Sequence, residues 1–349
     1  MVVIMKMGAS DDDVAGVVAK VEEVGGEAFV SRGRSWTIIG LVGDTIRFLE
    51  LPLESLPGVD RVVRVGRPYK MVARELHPEP STVQIAGVPI GRDTITVIAG
   101  PCAVENEDQA LESTRMAKRA GAQILRGGAY KPRSSPYSFQ GLREKGLELL
   151  VACREDTGLP FVTEVLEARD VEKVAAVADG LQIGARNMQN FELLKEAGLS
   201  GKPVMLKRGL SGTVEEWLMA AEYIAQQGNA DIVLCERGIR TFEQSTRNTL
   251  DLAGMIVARD ASHLPVIADP SHATGHRELV APMARAAIAG GADGIMVECH
   301  PHPDEALCDG PQALTGDDLD KLVIDLAALG KAMGRRMADR LQSAPGWSG

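Results

Sequence analysis

The chain has 349 residues, 45% of them hydrophobic, and a formal net charge of -10, enough to bury one large core beside a small accessory domain and too apolar for disorder. The acidic balance disfavours general affinity for nucleic acid or an anionic membrane surface, so any anionic ligand must be met by local cations. No apolar run approaches the roughly 20 residues of a spanning helix, Met1–Met7 lacks the parts of a signal peptide, and the five cysteines, Cys102, Cys153, Cys235, Cys299 and Cys308, are too irregularly spaced for a disulfide framework; a cytoplasmic location is expected.

In chain order, β-rich runs at Val2–Met7, Glu27–Ser31, Trp36–Val42 and Arg61–Val65 alternate with helical patterns at Asp11–Val24 and Thr45–Leu51. Asp11 to Asp13 complement a helix amino terminus, and Gly25-Gly26 ends that helix. The order βαββαβ predicts a small ferredoxin-like domain over residues 1–70. Residues 71–92 read as a linker rich in proline and charge, with a hairpin lid at Val83–Ile85. From 93 to 340, short β-branched runs alternate with amphipathic segments such as Val214–Gln227 and Asp317–Met333, the pattern of βα units on a parallel sheet. Eight strands are predicted: Ile95–Ala99, Gln123–Arg126, Pro160–Glu164, Gly180–Ile183, Pro203–Lys207, Asp231–Cys235, Pro265–Ala268 and Gly294–Glu298. Eight closes a (β/α)8 barrel. An open doubly wound sheet ranks second, because no Gly-x-Gly-x-x-Gly turn follows the first strand.

In such a barrel the carboxyl ends of the strands carry the active site. They deliver a set of cations, Arg126, Lys131, Arg133, Arg186, Lys207, Arg208 and Arg237, to one rim of an acidic protein, which implies a polyanionic ligand held by charge-assisted hydrogen bonds. They also deliver Cys102, His272, Glu298 and Asp309 from strands one, seven and eight, which adjoin on closure. Taken singly, Cys102 would pass for buried filler and His272 for a satisfied core histidine. Jointly, a thiolate, an imidazole and two carboxylates suit one borderline divalent metal ion such as manganese, iron, cobalt or zinc, with positions left for substrate. His276, His300 and His302 read as loop residues near that face, Cys299 and Cys308 receive no role, and Trp36 and Trp217 read as packing residues.

With these residues in view, the chain resembles the 3-deoxy-D-arabino-heptulosonate 7-phosphate (DAHP) synthases of the subtype with a ferredoxin-like amino-terminal domain. The resemblance runs over nearly the whole chain and rests on Ala99-Gly100-Pro101-Cys102, the run from Arg126 to Pro136 with Lys131-Pro132-Arg133-Ser134 at its centre, Ile183-Gly184-Ala185-Arg186-Asn187, Asp269-Pro270-Ser271-His272 and Asp309-Gly310-Pro311-Gln312. It implies a metal-dependent, aldol-like condensation of phosphoenolpyruvate with erythrose 4-phosphate, opening the shikimate pathway. It implies that Arg126, Lys131, Arg186, Lys207 and Arg237, with the Ala185 backbone, hold phosphoenolpyruvate; that Arg133 and Ser134, where the family commonly has threonine, hold the aldose phosphate; and that Cys102, His272, Glu298 and Asp309 ligate the metal. Lys131, Cys102 and His272 would be catalytic, Lys131 protonating the developing alkoxide. An aromatic amino acid acting through residues 1–70, a tetramer, packing between subunits through Ala284–Ala289, and a chorismate mutase partner are further implications. The rival within enzymes is the eight-carbon relative that uses arabinose 5-phosphate; its characteristic Lys-Ala-Asn-Arg run stands against Lys131-Pro132-Arg133-Ser134. A sialic-acid-type synthase lacks this second-strand segment, and a non-catalytic phosphate-binding barrel would not need every position filled by a competent residue.

Overall fold

The computed structural model describes residues 1–33, 36–63, 68–133 and 135–340, with only the backbone at positions 45 and 46. The amino-terminal unit runs β1 (Val2–Met5), α1 (Asp11–Glu23), β2 (Glu27–Arg32), β3 (Thr37–Val42), α2 (Thr45–Glu50) and β4 (Val59–Val63). Its strands form an antiparallel sheet in the order β2-β3-β1-β4, as expected of a ferredoxin-like unit. Ser10 caps α1 in a reciprocal box with Asp13, and Val14, Val17 and Val21, spaced along one helix face, pack with Ile39, Leu41 and Phe48. Val65, placed in the last predicted strand, lies outside the described residues.

The linker is fastened to the barrel. The carboxylate of buried Glu222 accepts from the backbone N–H groups of Met71 (2.9 Å) and Val72 (3.1 Å), and the Arg74 guanidinium donates to the Ser262 carbonyl (3.0 Å). Beyond it, β5 (Val83–Ile85) and β6 (Val88–Ile90) make an antiparallel hairpin. Its four apolar side chains pack with Ile98, Ile124, Val162, Met205, Val233, Ile267 and Met296 in the barrel interior, and Thr96 donates to the Pro89 carbonyl (2.7 Å) near the start of the first barrel strand. The hairpin is therefore a floor at the amino-terminal end of the barrel, not a lid over its mouth: with no polar group on its inward face, burial against the lower strand residues is what its composition favours.

The barrel strands are β7 (Thr94–Gly100), β8 (Ile124–Arg126), β9 (Phe161–Val165), β10 (Gly180–Ile183), β11 (Val204–Lys207), β12 (Ile232–Glu236), β13 (Val266–Ala268) and β14 (Gly294–Glu298). They pair in parallel in that order, and β14 returns to β7 with register Gly294↔Thr96 through Glu298↔Gly100, closing the cylinder. Around it lie α3 (Glu107–Ala120), α4 (Glu144–Thr157), α5 (Val171–Val177), α6 (Phe191–Leu199), α7 (Val214–Ala225), α8 (Leu252–Ala261), the short α9 (Pro270–Thr274), α10 (Arg277–Ala289) and α11 (Gly316–Ala332). A two-residue β15 (Arg336–Met337), which the sequence did not suggest, pairs in parallel beside the start of β7. Trp217 is fully buried in the core between sheet and helices, whereas Trp36 is 37% exposed and not a core residue. Within Ala284–Ala289, expected to face a neighbour, Ala284, Ala287 and Ile288 are spent on the chain's own core. No helix among the described residues is long and apolar enough to cross a membrane.

Candidate active site

Closure of β14 on β7 places the loops of strands one, two, seven and eight around one point. Gly100 sits at φ +155° where a Cβ would lie 2.0 Å from the Arg126 carbonyl oxygen, and Gly128 approaches the Cys102 carbonyl as closely as its N–H bond to it (3.1 Å) requires. These two glycines let the first two strand ends run side by side, so Lys131 Nζ reaches the Cys102 carbonyl (3.1 Å) and Sγ (3.0 Å). In Asp269-Pro270-Ser271-His272, the Asp269 side chain caps α9 by accepting from the His272 N–H (3.0 Å) and proline takes the first helical position. Ser271 Oγ accepts from the Glu298 N–H (3.0 Å). Asp309 adopts a left-handed conformation, φ +56°, which aspartate tolerates better than most residues.

The four predicted ligands do converge: one ligand atom from each of Cys102, His272, Glu298 and Asp309 lies within 4.8 Å of every other. Their protonation fits a cation. Burial lowers the His272 pKa, and Nδ1 lies 2.6 Å from Asp269 Oδ2, so a neutral imidazole with its proton on Nδ1 turns a bare Nε2 toward Glu298 Oε1 at 3.2 Å. Burial opposes the charge on Glu298, yet His272 and Arg126 hold its pKa below the ordinary range; Asp309 is likewise held down against burial, by Arg247 and His272. Hydrogen bonding to Cys308, then burial, pushes the Cys102 thiol well up, so taking up an ion would release its proton. A mixed sulfur, nitrogen and oxygen donor set on fixed side chains is what a borderline divalent ion needs.

Above this cluster opens a cavity of about 440 Å³. Of the residues predicted for anions, Arg126, Lys131, Arg133, Ala185, Arg186, Lys207 and Arg237 line it; Ser134 lies outside the described residues. Arg126 donates to Glu298 (3.0 Å) and the Pro101 carbonyl (2.7 Å), and Lys207 to Asp269 Oδ2 (2.6 Å), the same oxygen that meets His272. Burial opposes the Lys131 charge, but Cys102 and Cys308 beside it hold its pKa above the usual lysine value. The buried Arg237 guanidinium makes, among the described residues, one long hydrogen bond to the Gly238 carbonyl (3.5 Å), which leaves its charge available to a bound anion. Arg208, expected among these cations, is not in the cavity: it points into the wall, donating to Glu236 (2.9 Å) and Asp251 (2.8 Å) over the Trp217 ring.

Three residues without a predicted role belong to the site. Cys308 lies 3.4 Å from Cys102 Sγ and accepts from Arg133; Gln312 donates to Glu298 Oε2 (2.6 Å); Arg247 reaches Asp309 Oδ1 (3.1 Å). An inventory of every polar residue in the loops after strands six and eight would have included them. Of the histidines, His300 accepts from the His302 N–H at Nδ1 (3.0 Å), and Glu105 beside it accepts from the Leu307 N–H (2.8 Å) in the loop that carries Asp309.

The fold and the site define a (β/α)8 barrel enzyme whose polar mouth gathers cations above a cluster of four side chains that could hold a metal ion. By comparison with known proteins the chain belongs to the DAHP synthetase I family, which matches residues 73–334, and residues 1–67 match the DAHP synthase ferredoxin-like domain. Among its relatives, the phospho-2-dehydro-3-deoxyheptonate aldolase of Thermotoga maritima is 50% identical over 96% of this chain and 99% of its own length. A crystal structure of the DAHP synthase of that name from the same organism superposes with a TM-score of 0.77, covering 96% of this chain and 98% of the other. A 2-dehydro-3-deoxyphosphooctonate aldolase of Syntrophotalea carbinolica is 34% identical over 72% of this chain and 96% of its own length, so the barrel is shared with enzymes named for an eight-carbon product.

Proposed function

We propose that the enzyme joins phosphoenolpyruvate to erythrose 4-phosphate, giving DAHP and inorganic phosphate, with a divalent ion held by Cys102, His272, Glu298 and Asp309. The observation that carries the reading is the convergence of those four ligand atoms within 4.8 Å beneath a cavity lined by Arg126, Lys131, Lys207 and Arg237. Once bound, the ion would supply Lewis acidity to the aldehyde carbonyl. The chain's own residues do the rest. Arg126, Lys207 and Arg237 hold phosphate and carboxylate and so convert a bimolecular encounter into a positioned one. As carbon three of phosphoenolpyruvate bonds to the aldehyde carbon, the carbonyl electron pair becomes an oxyanion, and the Lys131 ammonium donates a proton to it. The electron pair between carbons two and three makes that carbon–carbon bond and leaves carbon two electron-poor. Water adds there, one of its protons returning to the Lys131 amine. The bond from carbon two to the phosphate oxygen then breaks, phosphate leaving with the other proton as the ketone forms. Arg133 and Ser134 are assigned the aldose phosphate; Lys131-Pro132-Arg133-Ser134 in place of the Lys-Ala-Asn-Arg run favours the four-carbon over the five-carbon acceptor.

One assay tests the reading: phosphate release with each aldose phosphate, before and after chelation of metal. Turnover with erythrose 4-phosphate that chelation abolishes and added manganese or zinc restores is expected. Cys102→Ala should lose several kcal/mol of transition-state stabilisation, a fall on the order of 10³-fold in kcat/KM. Preference for arabinose 5-phosphate, or full activity of metal-stripped Cys102→Ala, overturns it. The amino-terminal domain is proposed to bind an aromatic amino acid that restrains this activity; adding phenylalanine, tyrosine and tryptophan to the same assay without effect removes that part.

A further inference from the structure

Each carboxylate of the ligand cluster has one oxygen turned toward the other ligands and one turned away. Asp309 Oδ2 faces Cys102 Sγ (3.2 Å), and Glu298 Oε1 faces His272 Nε2 (3.2 Å). The outward oxygens meet one system: Arg247 Nη1 donates to Asp309 Oδ1 (3.1 Å) and to Gln312 Oε1 (2.9 Å), and Gln312 Nε2 donates to Glu298 Oε2 (2.6 Å). Gln312 thus stands between a group that can only donate and a group that, ionised, can only accept, which fixes which way its amide points.

We infer that Arg247 is a positioning residue for both carboxylate ligands, holding Asp309 directly and, through Gln312, the Glu298 oxygen that Arg126 does not reach. The inference rests on the metal-site reading above. Arg247 comes from the loop after β12, which supplies no ligand, yet that loop is tied to the helix that does: the Arg247 N–H donates to the Thr274 carbonyl (3.0 Å), and Asn248 Nδ2 to the carbonyl of His272 itself (3.1 Å). The Arg247–Asn248 segment thereby joins the loops of β12, β13 and β14, its backbone and Asn248 reaching α9 and its guanidinium reaching Asp309 and Gln312, at the point where two carboxylates must lie close together. Its positive charge offsets their repulsion, and its geometry leaves Oδ2 and Oε1 facing the other ligands, Oε1 also accepting from Arg126 (3.0 Å). Removal of an outer partner that orients a ligand typically weakens metal affinity by about 10–100-fold.

The alternative role, contact with substrate, is open to a side chain that also lines the cavity, and the test separates the two. Metal-stripped protein is titrated with cobalt(II), following the thiolate-to-metal absorption band, and with manganese(II) against a chromophoric chelator, in the absence of substrates. Arg247→Gln should weaken both affinities about 10–100-fold. Arg247→Lys, which keeps the charge but not the fork, should fall between it and the wild type, and Gln312→Met, which cuts only the route to Glu298, should lose less. Thermal melts of the metal-free proteins should coincide, separating this loss from misfolding. Wild-type metal affinity in Arg247→Gln overturns the inference, most plainly if the KM for phosphoenolpyruvate or the aldose rises alone. If the wild type binds neither ion, the metal-site reading falls and takes this inference with it, an outcome visible in the wild-type arm alone.

Discussion

The two ends of the barrel interior are built from the same strands and differ in chemistry within a single step of two residues. Ile124, Val162, Met205, Ile267 and Met296 belong to the apolar cluster on the hairpin floor. Two positions on, and so on the same face of each strand, stand Arg126, Glu164, Lys207, Asp269 and Glu298. That step is about 6.6 Å, and it separates the stabilising part of the barrel from the reactive part. At the floor, apolar burial and close packing act together, with no charge to desolvate. At the mouth, buried charges persist because they are paired: Arg126 with Glu298 and Lys207 with Asp269, each pair almost fully enclosed. Such pairs contribute little net stability, yet losing one partner is costly.

Among the buried pairs, breaking one at the mouth should therefore cost activity most. Lys207→Met leaves Asp269 Oδ2 to His272 alone and removes a cation from the cavity. Loss of charge-assisted bonds of roughly 1.5–3 kcal/mol each should lower kcat/KM on the order of 10²-fold, with the KM for phosphoenolpyruvate carrying much of the change. An unchanged KM would separate Lys207 from substrate and leave it a support for His272.

What was legible in the sequence follows the same division. The strands could be read because β-branched runs stand between glycines and prolines, and their ends because residue type changes abruptly there; Cys102, His272, Glu298 and Asp309 could be found by asking what each strand end delivers. Arg208 misleads because it adjoins Lys207. Neighbours along a strand point to opposite faces, and Arg208 takes the one where Glu236 and Asp251 wait; alternation alone could have told the two apart. The hairpin at Val83–Ile85 reads as a lid and is a floor, because nothing local says which end of a cylinder an apolar ribbon will close. Arg247 and Gln312 lie in loops whose paths depend on contacts with α9 and with Glu298, so no spacing announces them.

The floor should fail differently from the mouth. Ile85→Ala removes methylene groups from a fully enclosed site that can collapse only partly, at a cost of about 3 kcal/mol in unfolding free energy, read from the denaturant midpoint. The kcat of the remaining folded enzyme should stay near that of the wild type. A fall in kcat without loss of stability would mean that the hairpin transmits to the mouth rather than merely closing the floor.

The smallest expected effect sharpens the comparison from beside the floor, where the linker is fastened. His263 lies between the Ser81 hydroxyl (2.7 Å from Nδ1) and the Met71 carbonyl (3.0 Å from Nε2), stacked on the His77 ring. Burial, with His77 beside it, lowers its pKa to about 3, against about 6.5 in the unfolded chain. Between those values the unfolded state binds the proton and the folded state does not, so the stability present above pH 6.5 is progressively lost as the pH falls toward 3. At pH 5.5 the loss due to this one group is about 1.4 kcal/mol. In His263→Gln, which cannot titrate, the decline in unfolding free energy from pH 7.5 to 5.5 should be shallower than in the wild type by that amount, whatever the substitution costs at neutral pH. Parallel pH curves for the two proteins would mean that the imidazole accepts its proton in place, and that the linker clasp at the floor is looser than its hydrogen bonds imply.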